Sequence, residues 1–171
     1  MDVALIRQQF PVFSVPSLEG AVFFDGAAGT QMCSRALEAS VRASIENNAN
    51  LGGHFSTSII AEQDLDRARS AAAALLNASC AQEIVFGQNM TALTFHMSRC
   101  IGRSLRKGDE IVLTRSDHEA NISPWLELAK DLELTVRWLP FDFETYGFDL
   151  SQASSLITER TRVVALSYAN N

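Results

Sequence analysis

"KGDEIVLTRSDHEANISPWLELAKDLELTVRWL", residues 107–139, decides the fold. Within it "DEIVLT" reads as a strand, "ANISPWLELAKDL" as a helix, and "LTVRWLPF", running on to Phe141, as a second strand. The alternation continues on both sides. Upstream, "EIVFG" is a strand and "MTALTFHMSRCIGRSL" a helix; downstream, "LSQASSLI" is a short helix and "TRVVALSYA" a strand. Strand and helix units alternating at this length predict a mostly parallel sheet with helices on its faces, an α/β three-layer sandwich.

The first half is less regular. A short N-terminal helix precedes Ala21 to Phe24, which reads as a strand running into the small-residue turn Asp25 to Thr30. Ser34 to Glu46 has helical spacing at Ala36, Leu37, Val41 and Ile45, and an Asn/Gly-rich loop, "NNANLGGHFSTS", follows it. Residues 59–76 form a second helix with Asn77 at its end. No repeat, low-complexity tract or linker marks a boundary, so residues 1–171 are expected to belong to one domain. The last strand carries its own implication: "RVVALS" is apolar in a continuous run, as a strand buried on both faces is, and no helix follows to cover it. The expectation is the front portion of a larger α/β protein, or completion by another chain, with an apolar edge strand as the plainer alternative.

A chain of 171 residues with 47% hydrophobic content can bury a sizeable core. Its formal charge is −6, and the basic residues are scattered, which argues against nucleic acid and anionic membrane as partners. The start, "MDVALIRQQFPVF", lacks a basic segment and a long apolar core, and no apolar run is long enough to cross a bilayer, so a cytoplasmic location is expected. Cys33, Cys80 and Cys100 are odd in number and far apart, with no Cys-x-x-Cys pair, an arrangement that suits reduced thiols and no structural zinc.

Candidate chemistry gathers where strands hand over to helices. The turn Gly87-Gln88-Asn89-Met90-Thr91 leaves the first N–H groups of its helix aimed outward, where the helix dipole favours an anion such as phosphate, with the Thr91 hydroxyl as a further donor. Spacing alone favours a plainer role for Asn89, as the helix N-cap. The turn matches neither the P-loop nor the dinucleotide Gly-x-Gly-x-x-Gly pattern.

His118 lies just past the end of the following strand, the side of an open parallel sheet where ligands bind. It has no spaced partner for a metal and no recognisable nucleophile to activate. A neutral imidazole held by Asp117 or Glu119 can stack on a planar ring, and a solvated loop histidine stays open beside that reading. Asn170 and Asn171 end the last strand at the same edge, His54 sits in a Gly-rich loop, and His96 reads as a packed or surface residue.

These features together resemble the class V aminotransferase family of pyridoxal 5′-phosphate (PLP) enzymes, fold type I, and within it the cysteine desulfurase-like branch. The matching stretches are "FFDGAAGTQ", "NNANLGGHF", "EIVFGQNMTALTF", "KGDEIVLTRSDHEANISPW" and "RTRVVALSYANN". The resemblance implies that Met90 and Thr91 hold the cofactor phosphate and that His118 stacks on the pyridine ring. It gives Asn171 the ring hydroxyl oxygen, and puts Ala27, Ala28 and His54 on the substrate side, His54 near a dimer partner's site. The same resemblance implies an amino-acid substrate and a homodimer, or association with a missing C-terminal portion.

Family members continue into an Asp that pairs with the pyridine nitrogen and a Ser-x-His-Lys stretch whose Lys forms the Schiff base, and neither occurs here. The two lysines present, Lys107 and Lys130, stand in a turn before a strand and near a helix end, so no residue is assigned a catalytic role. The reading is an N-terminal part of the large domain of such an enzyme, inactive as it stands. The alternative is a non-catalytic module that binds a phosphorylated ligand or serves as a structural partner.

Overall fold

Residues 1–169 are described by the computed structural model, and they form two compact units that divide between Val85 and Phe86. The second unit contains the stretch quoted above. Helix α4 (Met90–Gly102), the fourth helix of the chain, leads through a tight turn into strand β1 (Glu110–Thr114), and helix α5 (Ser123–Leu132) returns the chain to strand β2 (Thr135–Leu139). A two-residue hairpin pair, β3 (Phe141–Asp142) and β4 (Gly147–Phe148), precedes the short helix α6 (Ala153–Leu156) and strand β5 (Thr161–Val164). The sheet has the order β2-β1-β5, all parallel, with Ile111 opposite Val136 and Leu113 opposite Trp138.

β1 is the middle strand and every residue of it is buried, which explains its unbroken apolar run. Ile111 and Leu113 pack against Ile122, which precedes α5, and against Trp125 and Leu128 on the inward face of α5, and that cluster is the core. The other face carries Val112, Leu139 and Val164, covered by α6 over a small apolar cavity of about 90 Å³. Helices, sheet and helix are the three expected layers. Gly102, at the end of α4, lets the helices close: a Cβ there would stand 2.5 Å from a Leu128 methyl carbon.

Two boundaries differ from expectation for local reasons. Pro140 has no N–H to give a ladder, so "LTVRWLPF" breaks after Leu139 and resumes as β3 of the hairpin. The predicted helix from Ala120 starts as a 3-10 turn, Glu119–Asn121, and becomes α-helical only at Ser123, with Pro124 in its first turn.

In the first unit, helix α1 (Val3–Arg7) is capped by Asp2, whose carboxylate accepts from the Ala4 N–H at 3.0 Å. Arg7 lies 3.7 Å over the ring of Phe13, which packs edge-on against Phe10 and Phe23. Helices α2 (Ser34–Glu46) and α3 (Ser56–Leu76) occupy the predicted segments, and Asn77 stops α3 in the left-handed conformation with φ 54°. The expected strands at Ala21 to Phe24 and in "EIVFG" do not form among the described residues. Ile84 has extended dihedrals, but neither segment has a neighbouring strand to complete a ladder, and Val22 and Phe24 are exposed.

Candidate functional site

The plainer reading of the 87–91 turn is what the structure shows. Asn89 caps α4, its carboxamide oxygen accepting from the Ala92 N–H at 2.9 Å. That bond uses one of the unpaired donors of the first turn and leaves the N–H groups of Met90 and Thr91 without an intrahelical acceptor. The Thr91 side chain is exposed beside them. Gly87 sits against the helix it precedes: a Cβ there would lie 2.4 Å from a Leu93 methyl carbon and would force that side chain to move.

The loop after β1 is built around Asp117. Its carboxylate is buried and accepts four hydrogen bonds, from the His118 N–H at 2.8 Å, Asn121 Nδ2 at 2.7 Å, the Ser167 N–H at 2.9 Å and Ser167 Oγ at 2.5 Å. Buried Ala120 and Ile122 anchor the turn to the core, and Trp125 Nε1 donates to Asn121 Oδ1 at 3.3 Å. His118 remains exposed. Its Nδ1 accepts from the Ala120 N–H at 3.0 Å, so the neutral ring carries its proton on Nε2. Glu119 instead accepts from the Ser123 hydroxyl and takes no part in holding the ring. Within the Asp-His-Glu cluster one carboxylate shapes the turn, the other accepts from the Ser123 hydroxyl, and the imidazole is held through Nδ1 and exposed.

The α4 start and His118 share one edge of the sheet. The chain leaves β1 at its carboxyl end into the His118 turn, that turn packs against α4, and the last residue of α4, Gly102, lies against Leu128 in the final turns of α5, which puts the opposite end of α4 on the side of the His118 turn. Arg115, in the loop, adds positive charge at this edge, with its guanidinium 4.9 Å over the Trp138 ring. The lysines lie elsewhere. Lys107 pairs with Glu133 at 2.6 Å in the turn that enters β1, at the opposite edge, and Lys130 is exposed in the last turn of α5.

That opposite edge holds a second polar cluster that the sequence did not reveal. Glu110 is fully buried, within 2.8 Å of the Arg137 guanidinium and 2.9 Å of Arg160, and accepts from the Thr158 hydroxyl at 2.8 Å. Hydrogen bonds from Arg137 and then Thr158 lower its pKa from an ordinary 4.5 to about 2. A carboxylate held so firmly as an anion joins β1 to β2 and to the turn that enters β5, and has no proton to exchange near neutrality. Ser167 was missed as well, since its bonds to Asp117 span 50 residues and leave no spacing signal.

Among the residues expected on the substrate side, Ala27 and Ala28 are exposed in a turn closed by the Ala28 N–H donating to Asp25 O at 2.8 Å. His54 is exposed just before α3, in a loop held by Ser58, which donates to Asn50 O at 2.6 Å and accepts from the Gly53 N–H at 2.8 Å. These three belong to the first unit, whereas Met90, Thr91 and His118 belong to the second. Asn171 lies outside the described residues.

The family described as Aminotransferase class-V matches residues 22–171. An aminotransferase-like protein of Gibberella zeae is 34% identical over 97% of this chain and 41% of its own length. A probable cysteine desulfurase of Pseudomonas aeruginosa is 34% identical over 96% of this chain and 41% of its own. The apo cysteine desulfurase of Thermococcus onnurineus NA1 superposes with a TM-score of 0.86 at 25% identity, covering 98% of this chain and 40% of that one. A mutant of the enzyme C-DES with glycine covalently linked to its PLP cofactor gives a TM-score of 0.69 at 26% identity, covering 95% of this chain and 40% of that one. The chain therefore spans about two fifths of the length of the relatives it matches.

Proposed function

We propose, for a chain that belongs to the class-V aminotransferase family, that the α4 start and His118 form the phosphate and ring halves of a PLP site in a cysteine desulfurase-like protein acting on an amino acid. The observation that carries this reading is the exposed His118 ring, fixed by the Ala120 N–H, at the same sheet edge as the uncapped N–H groups of Met90 and Thr91. The donor set fits the group. A phosphate dianion suits N–H donors at a helix start with a hydroxyl beside them, and a neutral imidazole offers a flat face to a heteroaromatic ring.

When bound, PLP supplies an electron sink for bond breaking at an amino acid's α-carbon. The chain's own residues bind and orient: Met90 and Thr91 hold phosphate oxygens, His118 covers one ring face, and Arg115 lowers the cost of gathering anionic charge there. Asn171 is proposed for the ring oxygen, and Ala27, Ala28 and His54 for the substrate side. Residues 1–171 are proposed as part of a PLP-transferase large domain, in a cytoplasmic homodimer or in association with further chain.

Neither lysine stands at this edge, and that observation favours a second reading for these 171 residues taken alone: non-covalent binding of a phosphorylated ligand without turnover. A PLP titration followed by absorbance, with borohydride reduction and intact mass, tests both. Saturable binding that His118→Ala weakens about tenfold, the loss of one ring-stacking contact, is the expected result. A lysine adduct after reduction would remove the second reading, and binding indifferent to His118 would remove the first.

A further inference from the structure

We infer that Asp117 is a positioning residue that makes the seat of His118 depend on the chain beyond β5, an inference that rests on the PLP-site reading above. A carboxylate has about four lone-pair sites and donates nothing. All four are filled here, two from the His118 turn (His118 N–H, Asn121 Nδ2) and two from Ser167. Oδ1 takes one bond from each segment and Oδ2 takes one from each, so neither oxygen serves one loop alone.

Each segment is independently tied to the core. The turn is fixed by buried Ala120, Ile122 and Trp125, and the β5 side by buried Ala165, whose N–H donates to Val112 O at 3.0 Å. Asp117 is the side-chain joint between these two anchored pieces, 50 residues apart in the chain. What it sets is the direction of the imidazole. The Ala120 N–H reaches His118 Nδ1 only while residues 117–121 keep this turn, and the turn keeps its geometry through Asp117. Ser167, which touches neither His118 nor the α4 start among the bonds described, is thereby part of the device, four residues before Asn171 in sequence.

Asp117→Asn has the same shape but only one acceptor oxygen, so its amide NH2 would face two donors. Ser167→Ala removes one of the four bonds and leaves the backbone bond in place, a change mild enough to keep the fold. Glu119→Gln, whose side chain among the described residues is bonded to the Ser123 hydroxyl, is the control. The measurement is the nitrogen-15 chemical shifts of the His118 ring in the 171-residue chain, which report the tautomer, alongside PLP affinity by absorbance. We expect a pure Nε2–H pattern in the wild type and averaging of the two tautomers in both Asp117→Asn and Ser167→Ala. We expect PLP affinity to fall about tenfold in Asp117→Asn, the scale of losing a charge-assisted hydrogen bond.

If the tautomer pattern is unchanged in Ser167→Ala, the inference is overturned, and that variant decides the matter alone should Asp117→Asn fail to fold. If the wild type does not bind PLP yet both variants disturb the His118 pattern, the positioning role stands and the cofactor reading falls. If PLP binds through His118 while both variants leave pattern and affinity as in the wild type, the cofactor reading stands and the positioning role falls.

Discussion

Helices α2 and α5 are both amphipathic, and only one of them has its apolar face covered. Four of the ten residues of α5 are buried, with Trp125 and Leu128 set against Ile111 and Leu113 of β1. Helix α2 is longer, carries Leu37, Val41 and Ile45 one turn apart, and buries none of its thirteen residues; Ile45 is 77% exposed. The first unit as a whole has a single buried hydrophobic residue, Ala73. Periodicity specifies which face must be covered; it carries no information on what covers it. In the second unit the sheet does so, and within these residues the first unit offers α2 nothing equivalent.

The largest expected effect lies where that contrast is sharpest. Leu113→Ala, in the fully buried middle strand, should destabilise the second unit by about 3 kcal/mol, read by urea denaturation of the chain. A cost under about 1 kcal/mol would mean that the core around β1 is loosely packed, and the contrast between units would lose its basis.

Glu110 sharpens the comparison through pH. Its carboxyl is depressed in the folded state, to about 2 from 4.5, so its contribution to stability is fully present above about pH 4.5 and is lost as pH falls through about 2. Glu110→Gln should flatten that part of the acid-unfolding curve for the second unit and lower stability at neutral pH, because Arg137 and Arg160 would lose their anion. An unaltered acid limb in the variant would show that the sheet edge is not held by this cluster. A smaller change tests helix packing: Gly102→Ala must displace the Leu128 side chain and should cost about 1 kcal/mol.

Much of the second unit was legible because its signals are local or periodic. β1, α5 and β2 follow from an apolar run, a helical stripe and a second run, and the carboxyl-end position of His118 follows from topology. The cap role of Asn89 follows from spacing and is observed, and one oxygen cap leaves the other first-turn donors free. What stayed hidden depends on contacts far apart in the chain. Asp117 reads as a possible holder of the His118 ring, while its bonds to Ser167 appear only once the chain is folded, and nothing local marks Glu110 in "DEIVLT" as the centre that Arg137, Thr158 and Arg160 surround. The strands expected at Ala21 to Phe24 and in "EIVFG" failed for the complementary reason: strand propensity needs a neighbour, and none is present among the described residues.

The smallest expected effect is the most informative about the first unit. Ile45→Ser, in the exposed stripe of α2, removes an apolar side chain that touches little, and in the 171-residue chain it should shift unfolding free energy by less than about 0.5 kcal/mol. The same substitution on a covered helix, Leu128→Ser in α5, loses a buried side chain and adds an unsatisfied hydroxyl, so the pair measures coverage directly. If Ile45→Ser costs 1 kcal/mol or more, the α2 face is covered in solution, and the difference between the two helices is one of partner and not of packing. A null result in this chain with a measurable cost in a longer one would locate the cover in residues beyond 171, because only a surface added with them would distinguish the two measurements.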